Sequence, residues 1–446
     1  MDTTGFAPAP PGFWHPAKRS YRFTVLLFAS LLTFGSYFAY DIIGAIAPSL
    51  VEDLGASRGT VGGFYTAYSV AAILAVLGGG ILIDRLGTRR SSMLFSLLVV
   101  AGAALVAYGQ SLPVVFAGRF IFGAGSEPLV VAQSAILARW FKNKEIALAF
   151  GIALTVSRLG TLFSFNTGEL IANAFGGYRA ALIAALIFCV ISLLGNIVYV
   201  LLDRRGARHL PDLQESGSED KITFADIRHF RPSFWFVSLL CVTFYSAIFP
   251  FTALSTDFFV DKWGVARVAE TSGSFLAQVF SSFMHMFSTA GGLSSIIIFA
   301  SMICAPFAGH LIDRFGKRAT MMIVGSLLMI PAHLAMGLTD IYPVLPMIVL
   351  GAAFVLVPAA MWPSIPMVVK DEHTGTAFGI CTTIQNVGLA LFPWLNGRLR
   401  DSTNDYTASM LMFAGLGVAG LVFSLLLKRA DNREGGILDR GRGSDA

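Results

Sequence analysis

Apolar stretches of about twenty residues or more recur twelve times along this chain. They lie near 23–51, 61–83, 91–109, 113–138, 146–172, 179–202, 233–260, 290–312, 319–339, 342–369, 376–397 and 406–427. Twenty residues of α-helix rise about 30 Å, the thickness of a bilayer's hydrocarbon core. Within that core only a helix or a closed barrel satisfies its own backbone hydrogen bonds. The fold class that follows is an all-α membrane protein with twelve transmembrane helices. Composition agrees: 55% of the residues are hydrophobic and 13% charged, where soluble domains carry roughly 25% charged residues. Several stretches are long and rich in Gly and Pro, which predicts tilted or kinked helices.

Orientation follows from Lys and Arg in the connections, because cytoplasmic loops retain them. Of 32 such residues, 24 fall on one side if both termini lie there, and six on the other: Arg58, Arg179, Lys262, Arg267, Arg398 and Arg400. Arg119 and Arg158 lie inside helices. Both termini are therefore expected in the cytoplasm, in the plasma (inner) membrane. The net charge of +5 is this bias and not a nucleic-acid site. The first sixteen residues are Pro-rich with no basic segment before a short apolar core, so no cleavable signal peptide is expected. Cys189, Cys241, Cys304 and Cys381 all fall in apolar stretches and read as small hydrophobes, without disulfide or zinc spacing. No metal or cofactor is expected. There is no P-loop for ATP drive, and no H-E-x-x-H or G-x-S-x-G for a membrane hydrolase, so no enzymatic activity is expected.

The chain repeats itself. Gly80-Ile-Leu-Ile-Asp84-Arg85-Leu-Gly87-Thr-Arg89-Arg90 matches Gly309-His-Leu-Ile-Asp313-Arg314-Phe-Gly316-Lys317-Arg318 at an offset of 229, and Ala149-Phe-Gly-Ile152 matches Ala377-Phe-Gly-Ile380 at 228. Two six-helix halves, 21–202 and 233–428, are thus parallel repeats joined by a charged linker, 203–232. Tails 1–20 and 429–446 are expected to be disordered.

The paired Asp-Arg-Gly motifs, the twelve helices and the charged central linker together resemble the major facilitator superfamily. Arg119-x-x-x-Gly123-x-Gly125 looks like that superfamily's second motif. The helix 5 Gly-Pro signature of drug–proton antiporters is missing from GIALTVSRLGTLFSF. Further stretches, FGSYFAYD (34–41), GSEPLVVAQ (125–133), SRLG (157–160), FYSAIFPF (244–251), MWPSIP (361–366) and GTAFGICTTIQNVGLA (375–390), resemble the family of animal lysosomal dipeptide uniporters and its prokaryotic relatives. The resemblance implies two pseudo-symmetric bundles, a substrate site near the bilayer midplane and alternating access. The chain departs from the family at Pro128, where the animal proteins carry Ser, in a longer 261–288 segment, and in lacking an N-terminal acidic dileucine sorting signal.

Charge at membrane depth is costly and usually functional. Glu127 falls near the middle of helix 4 and Arg158 near the middle of helix 5. Two readings stand: a structural ion pair, or a clamp in which Arg158 binds a carboxylate and Glu127 an ammonium. Pro128 removes an N–H and predicts a kink that frees the Ala124 carbonyl. Gly123 and Gly125 leave room for a ligand or for close helix packing. Through the repeat, Ser157-Arg158 mirrors Gln385-Asn386, which places charge in one half and neutral hydrogen-bonding groups in the other. Tyr37, Tyr40, Tyr68, Tyr245 and Trp362 are candidate walls that read peptide groups. Asp41, Glu169 and Asn173 are expected to be solvated near the outer helix ends.

Asp84, Arg85, Arg89, Asp313 and Arg314 are expected in symmetric cytoplasmic loops that latch the halves together, with Arg119 in a structural or conformational role. Residues 265–288 suggest an external amphipathic helix lying on the interface, and this segment is a candidate site for a partner protein. The primary expectation is a carrier of short peptides by facilitated diffusion. The alternatives are a proton-coupled symporter of organic anions, with Glu127 as proton carrier, and a transport-inactive sensor or scaffold.

Overall fold

The computed structural model describes residues 15–16, 18–141, 145–210, 230–270, 273–370 and 373–439. The first half consists of α1 (Arg19–Ala45), α2 (Ala47–Asp53), α3 (Arg58–Tyr108), α4 (Leu112–Phe141), α5 (Ile146–Phe175) and α6 (Tyr178–His209). The second consists of α7 (Pro232–Thr252), α8 (Ser255–Trp263), α9 (Phe275–Met284), α10 (Ala290–Phe315), α11 (Arg318–Leu338), α12 (Val344–Val368), α13 (Thr374–Thr403) and α14 (Thr407–Glu434). Among the described residues eleven helices are long and apolar enough to cross a bilayer, and α10 supplies the twelfth crossing. No strand forms among the described residues; a single bridge joins Ala266 and Thr289.

Helix breaks fall where the chain cannot continue a regular helix. In α3, Gly87 adopts φ 78°, a left-handed conformation that glycine enters without a side-chain clash. The Asp-Arg-Gly motif is therefore a one-residue break within a pair of crossings, not the loop its sequence suggests. Its repeat is similarly tight: α10 ends at Phe315 and α11 begins at Arg318. α1 gives way to α2 at Ile46, with Pro48 in the next turn. α4 runs unbroken through Pro128, whose ring packs against Gly79 of α3. A Cβ at Gly123 would lie 2.3 Å from the Tyr68 carbonyl oxygen, so this glycine serves helix packing rather than ligand approach.

The chain termini and the linker ends define one face of the bundle, the terminal face. At the opposite, far face the halves are pressed together. Arg58 Nε of α3 pairs with Asp257 Oδ2 of α8 at 2.6 Å, and Tyr406 OH donates to the same oxygen at 2.5 Å. Asp401 of α13 accepts the backbone N–H groups of Arg58 at 3.1 Å and Gly59 at 2.8 Å. Arg267 pairs with Glu52. Deeper in the seam, Asn166 Nδ2 donates to Ser295 Oγ at 2.9 Å and Thr66 Oγ1 to the Ala390 carbonyl at 2.5 Å. A Cβ on Gly62 would lie 2.0 Å from the Pro393 carbonyl oxygen, and one on Gly291 would lie 1.9 Å from that of Phe165. Backbone meets backbone there.

On the terminal face each half is tied within itself. Asp203, fully buried in α6, accepts Arg89 Nε at 2.5 Å and Trp140 Nε1 at 2.6 Å, and also Arg139. Arg89 thus turns into its own half instead of latching across the seam, and α6 carries on through the expected start of the linker to His209. The repeat partner of Asp203 at offset 228 is Asp431. It accepts the backbone N–H of Leu438 at 3.1 Å; the Leu438 carbonyl accepts Arg318 N–H at 3.0 Å, and Asp439 accepts Thr320 Oγ1–H at 3.1 Å. Leu438 is fully buried. Residues 429–439, expected to be disordered, instead end α14 and clasp the start of α11. Arg85 is exposed, and the side chains of Asp84, Asp313 and Arg314 lie outside the described set.

α9 is the helix expected in the 261–288 segment. Ser274 caps it, Phe283 and Phe275 pack on Phe163 and Phe175 of α5 with ring centroids 5.0 and 5.1 Å apart, and Leu276, Phe280 and Met284 stay exposed.

Candidate functional site

Six helices converge on a cavity of about 180 Å³ at the seam, lined by Tyr37 and Asp41 of α1, Tyr68 of α3, Glu127 of α4, Arg158 of α5, Tyr245 of α7 and Gln385 of α13, among others. Tyr40 lines it too and packs edge-on to Tyr68, with ring centroids 4.7 Å apart. The Tyr68 hydroxyl donates to Glu127 Oε1 at 2.7 Å. The Arg158 guanidinium lies 5.1 Å from the Phe354 ring and 6.0 Å from that of Tyr37. Among the described residues no ion pair joins Glu127 to Arg158. The structural pair considered above is therefore not formed, and two opposite charges face one cavity without meeting.

Asp41 is a correction to the sequence reading. It is buried, accepts Thr161 Oγ1–H at 2.6 Å and lines the same cavity, where solvation had been expected. Its spacing of four residues from Tyr37 puts both on one helical face, a signal that could have found it. Glu169 is also buried and accepts Ser49 Oγ–H at 2.7 Å, while Asn173 is exposed. Ser36, Ser126 and Phe249 also line the polar cavity.

A second, larger cavity of about 800 Å³ opens from Arg158 and Tyr245 toward the terminal face. Its walls are mainly apolar: Ile152 and Val156 of α5, Met302 of α10, and Phe354, Pro358 and Trp362 of α12. Trp362 sits in this chamber rather than in the polar cavity; its Nε1–H donates to Tyr245 OH at 2.8 Å. Asn386 lines neither cavity. It is buried and donates to the Thr382 carbonyl of its own helix at 3.0 Å. The repeat that mirrors Asn386 on Arg158 does not fix which way the helix turns it.

Arg119 lies behind the polar cavity, fully buried. Its guanidinium is 5.3–5.5 Å from the rings of Tyr40, Tyr65, Tyr68 and Phe122, and it donates to the Ala39 and Phe64 carbonyls. Cation–π contact and backbone carbonyls hold this charge, and among the described residues no ion pair is formed with it. It ties α1, α3 and α4 together within the first half.

A closed far face, an open terminal side and a charged cavity between two six-helix bundles are the features of a membrane transporter. A family model described as the Major Facilitator Superfamily matches residues 29–297 and 269–443. The lysosomal dipeptide transporter MFSD1 of Danio rerio is 30% identical over 438 residues, spanning 95% of this chain and 90% of that protein. The human protein of the same name is 30% identical over 451 residues, spanning 97% and 92%. Among solved structures, the nucleoside transporter NupG superposes with a TM-score of 0.68 at 16% identity, covering 91% of this chain and 98% of that one. An inward-facing bacterial homologue of the human lysosomal transporter Spinster gives 0.71 at 16%, covering 94% and 99%. The chain belongs to the major facilitator superfamily, and within it to the family of the lysosomal dipeptide transporter MFSD1.

Proposed function

We propose that this transporter carries short peptides, dipeptides above all, down their gradient, with Glu127 binding the ammonium end and Arg158 the carboxylate end. One observation carries the reading: the two charges line a single cavity at the seam without pairing to each other. An uncompensated charge at this depth costs several kcal/mol, and a zwitterion that spans both repays it at each pole. The hydroxyls of Tyr37, Tyr40, Tyr68 and Tyr245 and the amide of Gln385 supply partners for a peptide group between the poles. The relatives named above as dipeptide transporters support the same substrate class. The Lys and Arg bias supports a cytoplasmic terminal face, and with that orientation the conformation described is inward-facing. A binding screen of dipeptides, free amino acids, sugars and dicarboxylates on the purified protein tests the reading. Stabilisation by neutral dipeptides is expected; stabilisation by dicarboxylates alone would replace it with the organic-anion reading.

Asp41 favours a second reading. It is a second carboxylate in the cavity, held by one hydroxyl, and could carry a proton with the substrate. Concentrative uptake driven by an imposed pH gradient distinguishes the two.

A further inference from the structure

We infer that the transporter selects its peptide at the second residue, admitting a bulky apolar side chain there into the chamber beside Arg158 and only a small side chain at the first. The inference rests on the clamp assignment just given. Glu127, Tyr68 and Ser126 line only the small polar cavity, whereas Arg158 and Tyr245 line both cavities. In a dipeptide the second side chain and the carboxylate leave the same carbon. A carboxylate on Arg158 therefore sets that side chain at the mouth of the larger chamber. The first residue, anchored through its ammonium at Glu127, stays in a space of about 180 Å³ shared with Ser36, Asp41 and four tyrosines. A large apolar group there would strip water from two carboxylates without replacing their hydrogen bonds, which is unfavourable.

The chamber walls are fixed before a ligand arrives. Trp362 is held by its bond to Tyr245 and stacks on Phe378 at 6.0 Å, 16° from parallel. Phe354 stands edge-on to Phe249 at 5.7 Å and carries the Arg158 guanidinium on its ring. A preorganised apolar wall loses little entropy on binding. Transfer of a Leu or Phe side chain from water onto it is worth about tenfold or more in affinity.

Binding of Gly-Gly, Gly-Ala, Gly-Leu, Gly-Phe, Leu-Gly and Phe-Gly to the full chain in nanodiscs tests this. Gly-Phe is expected to bind about tenfold more tightly than Gly-Ala, and more tightly than Phe-Gly. The ratio of Gly-Phe to Gly-Ala affinity should fall toward one in Ile152→Ser, which makes the wall polar away from Arg158, and in Phe354→Ala. In Phe354→Leu it should be largely kept. If the dipeptides bind but Gly-Phe and Phe-Gly bind alike, the chamber is only a watery vestibule and the selectivity inference falls while the clamp stands. If none of the six binds, the clamp falls with it.

Discussion

Asp401 in the second half caps a helix of the first: its carboxylate accepts the Gly59 N–H of α3 at 2.8 Å. A carboxylate at a helix N-terminus satisfies orphan donors and opposes the helix dipole. In a carrier whose halves alternate in access the cap exists only while the far face is closed, so its free energy would belong to the conformational equilibrium. Removing a cap costs about 1 kcal/mol, or about fivefold in an equilibrium constant. Asp401→Ala should raise the far-open population by that factor. Labelling of a cysteine introduced at Thr66, in the closed seam, reads it out; unchanged labelling would show that the cap does not bias the equilibrium.

A stronger perturbation comes from Gly62, where an added Cβ would fall 2.0 Å from the Pro393 carbonyl. Backbone cannot yield as a flexible side chain does. Gly62→Val should hold the far face open and abolish flux in proteoliposomes while peptide binding persists. Flux at the parent rate would mean that closure does not need this contact.

Acidification should loosen the same face. The hydrogen bond from Arg267 holds the Glu52 carboxyl below its ordinary range. A group with a depressed pKa stabilises the closed state above its ordinary pKa, and that stabilisation is lost as pH falls through the depressed value. Both partners are solvent-accessible, so the effect is small and screened by salt. The pH dependence of far-face labelling should flatten in Glu52→Gln; an identical profile in that variant would assign it elsewhere.

The clamp predicts non-additive losses. For the parent, N-acetylation and C-amidation should each weaken binding of a neutral dipeptide. In Glu127→Gln acetylation should cost little more, and in Arg158→Ala amidation should cost little more while acetylation still hurts. Coupling on the order of 1–3 kcal/mol is expected, since truncating one partner leaves a buried charge unpaired. Equal losses for blocked and unblocked peptides in folded variants would mean that neither residue touches a terminus.

Features that depend on one segment at a time were legible in the sequence. The twelve crossings follow from apolar length, and the two halves follow from the repeated Asp-Arg-Gly motif. Tyr37, Tyr40, Tyr68, Glu127, Arg158, Tyr245 and Gln385, singled out from motif and spacing, line one cavity. What failed was partner choice between helices. Asp41 and Glu169 read as solvated because Thr161 and Ser49, which hold them, lie 120 residues away in sequence. Arg89 read as a latch because nothing local reveals that Asp203 waits in α6. Asn386 is turned to its own helix by a rotation that the repeat offset does not fix. The tail at 435–439 reads Gly-Gly-Ile-Leu-Asp, and its order comes from partners on α11 and α14 that nothing local reveals: Leu438 is buried and Asp439 holds Thr320.

That tail has a consequence for how the molecule is made. Asp203 finds its partners among side chains already synthesised when it emerges, so the first bundle can complete its terminal-face network while the second is still being translated. Asp431, its counterpart, waits for Leu438, and the start of α11 waits for Asp439. The second bundle therefore lacks this clasp until residues 438 and 439 have been made, although Ser233 Oγ–H already reaches Glu434 at 2.6 Å. A premature stop just after Glu434 would leave every crossing in place and still release a protein without the clasp between α14 and the start of α11.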